Sequence, residues 1–163
     1  MKLDTILIPL DGSSLAEAAL PRATELAHAS DAGLLLIRAA EAHTLPGMDP
    51  TDAQVKVIAE AEAYLAAVRE RLGVQGIRKV ETSVWYGPAA YSIVEATRLR
   101  KADLIVMSTH GRSGLGRFIL GSVAESVLRG TTVPILLIRA PEAPVDRPSA
   151  QGAARPWTVP ADV

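Results

Sequence analysis

The sequence contains no cysteine, which excludes disulfides, thiolate metal sites and cysteine nucleophiles. Aromatic residues are also scarce, with two tryptophans, three tyrosines and one phenylalanine among 163 residues. A hydrophobic core must therefore be built mainly from leucine, isoleucine, valine and alanine. That mixture is typical of a parallel sheet covered by alanine-rich helices.

Neither sign of charge dominates, because 17 lysines and arginines oppose 18 aspartates and glutamates, for a formal net charge of -1. A balanced chain has no broad positive field to attract nucleic acid or an anionic membrane. No apolar run approaches the length of a membrane span, and the first residues lead into a strand without the apolar region of a signal peptide. We therefore expect a cytoplasmic protein that binds neither nucleic acid nor membranes.

Five short runs rich in leucine and β-branched residues alternate with helical patterns. They occupy residues 5–10, 34–39, 79–86, 104–108 and 134–139. Because crossovers between parallel strands are right-handed, this alternation predicts an α/β fold, a doubly wound five-stranded parallel sheet with helices on both faces. We expect a Rossmann-like domain over residues 1–140 with the strand order 3-2-1-4-5.

The remaining residues, 141–163, form a tail rich in proline and alanine. No hydrophobic period runs through them, and we expect an extended or disordered segment.

Three helix patterns carry specific expectations. Ser14 with Glu17, and Ser122 with Glu125, have the spacing of capping boxes. Pro21 falls inside the first helical pattern and should bend it. A helix is predicted from residue 51 or 52 to 72, and the members of its apolar face are Val55, Ile58, Ala59, Leu65, Ala66 and Leu72, with Glu62 as a polar exception.

Glycine and hydroxyl residues concentrate in segment 108–122, after the fourth predicted strand. Gly111 lets the backbone approach a ligand closely, while Gly121 and Ser122 lie where the last helix begins, and the amides there favour phosphate. If the first and fourth strands are neighbours, this segment and the polar segment 11–14 border one crevice at the carboxyl edge of the sheet. Simpler interpretations stay open: the glycines form only a loop, and the serine only caps a helix.

Residues 105–129 read IVMSTHGRSGLGRFILGSVAESVLR. This segment resembles the nucleotide-binding signature of the universal stress protein family, written G-2x-G-9x-G-(S/T). The second glycine corresponds to Gly111, the third to Gly121 and the final hydroxyl residue to Ser122, whereas Ser108 replaces the first glycine. The resemblance extends over residues 3–139.

The resemblance also covers the pattern Pro-x-Asp-x-Ser, formed by Pro9, Asp11 and Ser13. It implies an adenine-nucleotide ligand, ATP or else ADP or AMP. Mg²⁺, where present, would be held by the Ser122 hydroxyl and phosphate oxygens and not by the protein alone. The site residues implied in this way are Pro9, Leu10, Asp11, Ala39, Met107, Ser108, His110, Gly111, Arg112, Gly121, Ser122 and Val123. Independently of the family, Asp11 at the end of a strand could accept a ribose or base hydrogen bond, or only stabilise a turn.

No lysine, aspartate or glutamate lies between Ser108 and Ser122. Phosphate-cleaving enzymes use such groups to bind phosphates and Mg²⁺, and the sequence also lacks the P-loop and dinucleotide-binding motifs. His110 could transfer a proton at neutral pH or form a structural hydrogen bond. We expect no catalytic residue, slow hydrolysis or none, and a role as a stress-response or regulatory module.

The last predicted strand begins at Pro134 and ends at Arg139. It lies at an edge of the predicted sheet, and an open apolar edge is prone to pair with another chain. The resemblance implies that this strand pairs with its copy, so we expect a homodimer. A nucleotide-free dimeric scaffold of the same family is the alternative, and Ser108 is the residue that favours it.

Overall fold

The computed structural model describes residues 2–42, 50–109 and 121–139. They form a parallel sheet of five strands in the order β3-β2-β1-β4-β5, which confirms the predicted architecture. The strands are β1 (Thr5–Pro9), β2 (Gly33–Ala40), β3 (Val80–Tyr86), β4 (Leu104–Ser108) and β5 (Ile135–Ile138). The helices are α1 (Ser14–Glu17), α2 (Leu20–Ser30), α3 (Pro50–Val74), α4 (Ala89–Leu99) and α5 (Ser122–Gly130).

Alternate side chains of the sheet enter two separate hydrophobic layers. Ile6 and Leu36 lie in the layer covered by α2 and α3, where Leu65 also packs. Leu7 and Ile37 point to the opposite layer, which α4 and α5 cover. Because both faces of β1, β2 and β4 are buried, these strands read as nearly continuous apolar runs in the sequence.

The first predicted helix is divided in two. α1 ends at Glu17 and α2 begins at Leu20, with Pro21 in the first turn of α2. Proline has no amide hydrogen and its ring clashes with the carbonyl four residues earlier, so a continuous helix cannot pass this point, whereas the first turn of a new helix accepts proline. The expected bend is therefore a break.

The buried face of α3 agrees only in part with the predicted one: Leu65 and Leu72 are buried as predicted, whereas Val55, Ala59 and Ala66 are exposed. Its buried residues are Ala61, Leu65, Val68 and Leu72. An exposed stripe is formed by Val55, Ala59, Glu62 and Ala66, which follow one another at helical spacing. The polar residue that interrupted the predicted apolar face thus belongs to a solvent-facing stripe, and the alanines beside it misled the prediction.

β3 and β5 form the two edges of the sheet, as expected. β5 is one residue shorter at each end than the predicted strand. None of the helices in the described part of the chain is both long and apolar enough to cross a membrane. The predicted tail, 141–163, lies outside the described residues, and its separation from the domain stays a prediction.

Substitutions in α3 test which face packs on the sheet. Leu65 is 0% exposed and Val55 is 61% exposed. Leu65→Ala should lower the free energy of unfolding by about 2 to 5 kcal/mol because it opens a cavity under β2. Val55→Ala should change it by less than about 0.5 kcal/mol. Urea denaturation of both variants measures the difference, and equal losses would contradict the observed face.

Candidate functional site

A cavity of about 280 Å³ opens at the carboxyl edge of the sheet, between the ends of β1 and β4. The strand order reverses here: from β1 the chain continues to α2 on one face, and from β4 to α5 on the other. Such a reversal leaves a crevice in which open α/β sheets bind ligands. The predicted site residues that line this cavity are Pro9, Leu10, Asp11, Ala39, Met107, Ser108, Gly121, Ser122 and Val123.

The rest of the lining is mostly apolar. Ile37 of β2 and Ile93 of α4 form part of it, together with Ala16, Ala89, Thr109 and Ala124. Our sequence analysis missed these six residues. Ile37 could have been found from Ala39, because residues two apart in a strand face the same side. The α4 residues had no such signal, since only packing brings that helix against the cavity.

The turn between β1 and α1 holds the Asp11 carboxylate in place. Asp11 Oδ1 accepts hydrogen bonds from the Ser13 amide at 2.9 Å and the Ser13 hydroxyl at 2.6 Å. Gly12 has φ +89°, a left-handed conformation that glycine adopts without strain. The proposed turn role of Asp11 is therefore present, and the same side chain also borders the cavity.

The cap of α1 is Ser13 and not the predicted Ser14. The Ser13 hydroxyl accepts a hydrogen bond from the Ala16 amide at 3.1 Å. Ser13 has the extended backbone that a capping residue needs, whereas Ser14 is already helical. Glu17 does not complete a capping box either, because its carboxylate accepts hydrogen bonds from Tyr64 and Arg71.

The start of α5 forms the opposite wall of the cavity. The Gly121 amide donates to the Thr109 carbonyl at 2.8 Å, which joins the end of β4 to the start of α5. Gly121 is the capping residue and Ser122 the first helical residue, so the predicted Ser122 capping box is also wrong. The Glu125 carboxylate instead pairs with Arg129. The first amides of a helix have no partner within it, and the positive end of the helix dipole lies there.

Ser108, which replaces the first glycine of the signature, is buried at the end of β4. Its backbone is part of the ladder with β5, where it is paired with Ile138. A strand conformation does not require glycine, so a serine here costs space in the cavity and causes no backbone strain.

Three other predicted site residues, His110, Gly111 and Arg112, lie outside the described residues. Asp11 is the one charged side chain among the described residues of the cavity lining. Among all the residues that the structure describes, no group of three or more histidines and carboxylates is arranged to hold a metal ion.

The sequence model of the Universal stress protein family matches residues 2–139. The chain belongs to this family. A universal stress protein of Methanocaldococcus jannaschii is 34% identical over 142 residues, which cover 84% of this chain and 82% of the relative. A putative universal stress protein of Staphylococcus aureus is also 34% identical, and the match covers 86% of this chain and 87% of the relative.

Solved structures of the universal stress protein family have the same fold. A Burkholderia pseudomallei member has a TM-score of 0.69 and 30% identity, and the match covers 85% of this chain and 98% of that one. A universal stress protein in complex with cAMP has a TM-score of 0.66, 24% identity, and coverage of 85% and 98%. An Arabidopsis thaliana member with AMP bound has a TM-score of 0.60, 14% identity, and coverage of 83% and 91%.

The two serines at the start of α1 allow a matched test of the turn that carries Asp11. Ser13→Ala should lower the free energy of unfolding by about 1 kcal/mol, because the helix loses its cap. Ser14→Ala should have almost no effect, since Ser14 is exposed and its hydroxyl caps nothing. Thermal unfolding of the two variants decides between them, and a larger loss for Ser14→Ala would support the capping box that the structure contradicts.

Proposed function

We propose that this universal stress protein binds an adenine nucleotide in the cavity between β1 and β4 and acts as a dimeric stress-response or regulatory module. The supporting observation is the composition of that cavity. A polar turn with a carboxylate forms one wall, the amino terminus of α5 forms the other, and apolar side chains lie between them. Nucleoside phosphates combine a flat base, a hydroxylated sugar and an anion, and the cavity offers a chemically matching region for each part.

The base and sugar fit the region that Pro9, Asp11 and Ala39 border, where apolar contacts and a carboxylate acceptor are close together. The phosphates fit the start of α5, because free amides and the helix dipole stabilise anions. Ser122 and Val123 supply the amides of that end, and Gly121, whose own amide is bonded to Thr109, leaves space for the phosphates beside them. His110, Gly111 and Arg112, which follow Thr109 in the sequence, are proposed to complete the site, and an arginine there would neutralise phosphate charge.

Slow hydrolysis or none follows from the groups that segment 108–122 lacks. It contains neither a lysine nor a carboxylate to organise Mg²⁺ and the transferred phosphate. The Ser122 hydroxyl, with the phosphates, is the group that would hold Mg²⁺. The protein is therefore proposed to respond to whether nucleotide is bound and not to act by rapid hydrolysis. Its proposed location is the cytoplasm.

The ligands of related proteins support an adenine nucleotide as the ligand of this one. Proteins of this fold have been crystallised with cAMP and with AMP, which share the adenine, the ribose and one phosphate.

The second candidate, a nucleotide-free scaffold, is favoured by Ser108, because its buried side chain takes space beside the cavity.

Release of bound nucleotide tests the proposal directly. The purified protein, denatured and analysed by mass spectrometry, should release an adenine nucleotide, and calorimetry should detect ATP binding after its removal. Gly121→Val should abolish binding by crowding the phosphates while the oligomeric state stays unchanged. Gly73→Val is the control, because apart from its chain neighbours and the backbone of its own helix no atom lies within 4 Å of the added side chain's first carbon.

The same samples are assayed for phosphate release, which should stay far below that of metabolic ATPases. Unchanged ATP affinity in the Gly121→Val variant would contradict our placement of the phosphates. A wild-type protein that neither contains nor binds a nucleotide would favour the scaffold.

A homodimer through β5 is the second part of the proposal. β5 pairs with β4 along one side, and the other side is a sheet edge at which Leu136 is 36% exposed. Light scattering should give twice the mass of one chain. Leu136→Lys should shift the protein towards monomer, because a charge at an edge opposes strand pairing. Val55→Lys, which adds the same charge to the exposed stripe of α3, should leave the dimer intact, and a monomeric wild type would refute the proposal.

A further inference from the structure

The segment from Asp11 to Glu17 supplies two residues of the cavity lining, Asp11 and Ala16. α1, its helical part, has only four residues. Isolated helices shorter than about 12 residues are marginal in water, so contacts with the rest of the protein must hold this segment in place.

One such contact lies behind the turn. The Arg38 guanidinium stacks over the Tyr64 ring, with 4.9 Å between its central carbon and the ring centroid. Three guanidinium atoms, Cζ, Nη1 and Nη2, are each 3.5 Å from the position of a Cβ atom at Gly12. Arg38 therefore lies between α3 and the turn. Since neighbouring residues of a strand face opposite sides, Arg38 projects from the face of the sheet opposite to that of Ala39, with its guanidinium beside Gly12 of the turn.

A second contact holds the far end of the segment. The Tyr64 hydroxyl donates to Glu17 Oε1 at 2.8 Å, and Arg71 donates to Glu17 Oε2 at 2.7 Å. The Glu17 side chain is 25% exposed, so these bonds are partly shielded from water. Burial, and then the bond to Glu17, raise the pKa of Tyr64 well above its ordinary value. The hydroxyl is therefore a permanent donor at neutral pH.

Tyr64 takes part in both contacts. Its ring lies under the Arg38 guanidinium beside the turn, and its hydroxyl donates to Glu17 at the end of α1. We propose that Tyr64 is a positioning residue for the nucleotide site, which holds segment 11–17 from α3 in its binding conformation without lining the cavity. The inference rests on the proposed function. Its physical basis is preorganisation: a segment that is ordered before binding spares the ligand the entropic cost of ordering it.

Tyr64→Phe isolates the hydroxyl, because it keeps the ring under Arg38 and removes only the bond to Glu17. Calorimetry with ATP should show an affinity about three- to tenfold weaker than that of the wild type, because binding must then order the segment that the lost hydrogen bond had held. Tyr91→Phe is the matched control. Tyr91 is a helical tyrosine that is 67% exposed, and its substitution should leave the affinity unchanged.

Variants of Glu17 test whether the bond itself matters. Glu17→Gln keeps an oxygen that can accept from Tyr64 and should bind ATP more tightly than Glu17→Ala. Adding Tyr64→Phe to Glu17→Ala should weaken binding no further, because partners in one interaction are not additive. A merely structural role would lower the melting temperature of Tyr64→Phe with unchanged ATP affinity, and that result would overturn the proposal.

Hydrogen exchange without nucleotide separates this inference from the proposed function. The amides of residues 12–17 should exchange faster in Tyr64→Phe than in Tyr91→Phe or the wild type. If the wild type binds none of ATP, ADP and AMP, the proposed function fails whatever the exchange rates are. If the wild type binds ATP and exchange in segment 12–17 does not change, the positioning role fails and the proposed function stands.

Discussion

The pairing of β1 with β4 is the contact on which the arrangement of this protein depends. The two strands are about a hundred residues apart along the chain, yet Ile6 lies beside Leu104 and Leu7 beside Ile105. The Asp103 carboxylate accepts hydrogen bonds from the amides of Asp4 and Thr5 at 2.8 and 2.9 Å, which joins the starts of both strands. Because the chain leaves their carboxyl ends towards opposite faces, a crevice opens there and the candidate site occupies it.

The strands below the cavity and the two elements on its sides are therefore held in place by contacts of different number and kind. The strands below it are buried on both faces, and the start of α5 is tied to β4 through Gly121 and Thr109. The opposite wall is a tight turn and a single turn of helix, which depend on contacts with α3. This contrast explains why a tyrosine outside the cavity is expected to affect a ligand inside it.

Local patterns were sufficient for the strands, but not for helix ends and faces. For the crevice, the family resemblance supplied nine of the residues that line it, and six others were missed. Ser13 caps α1 and Ser14 is its first residue, and which of the two serines caps the helix depends on backbone angles that the Asp11 turn imposes. Val55 and Leu65 looked equivalent in a helix rich in alanine, and only the contact with the sheet distinguishes them. The link from Tyr64 to Glu17 spans 47 residues, and no sequence spacing indicates it.

The order of apolar runs and helical patterns was enough to predict the parallel sheet, and the strand order expected for such a fold is the one observed. Strands buried on both faces leave an unmistakable apolar run, and right-handed crossovers leave few topologies for such runs. The tertiary structure alone decided the shape of the cavity, its apolar lining from α4 and the support of α1 by α3. These features arise where side chains from distant parts of the chain meet, and their geometry depends on packing that no local period encodes.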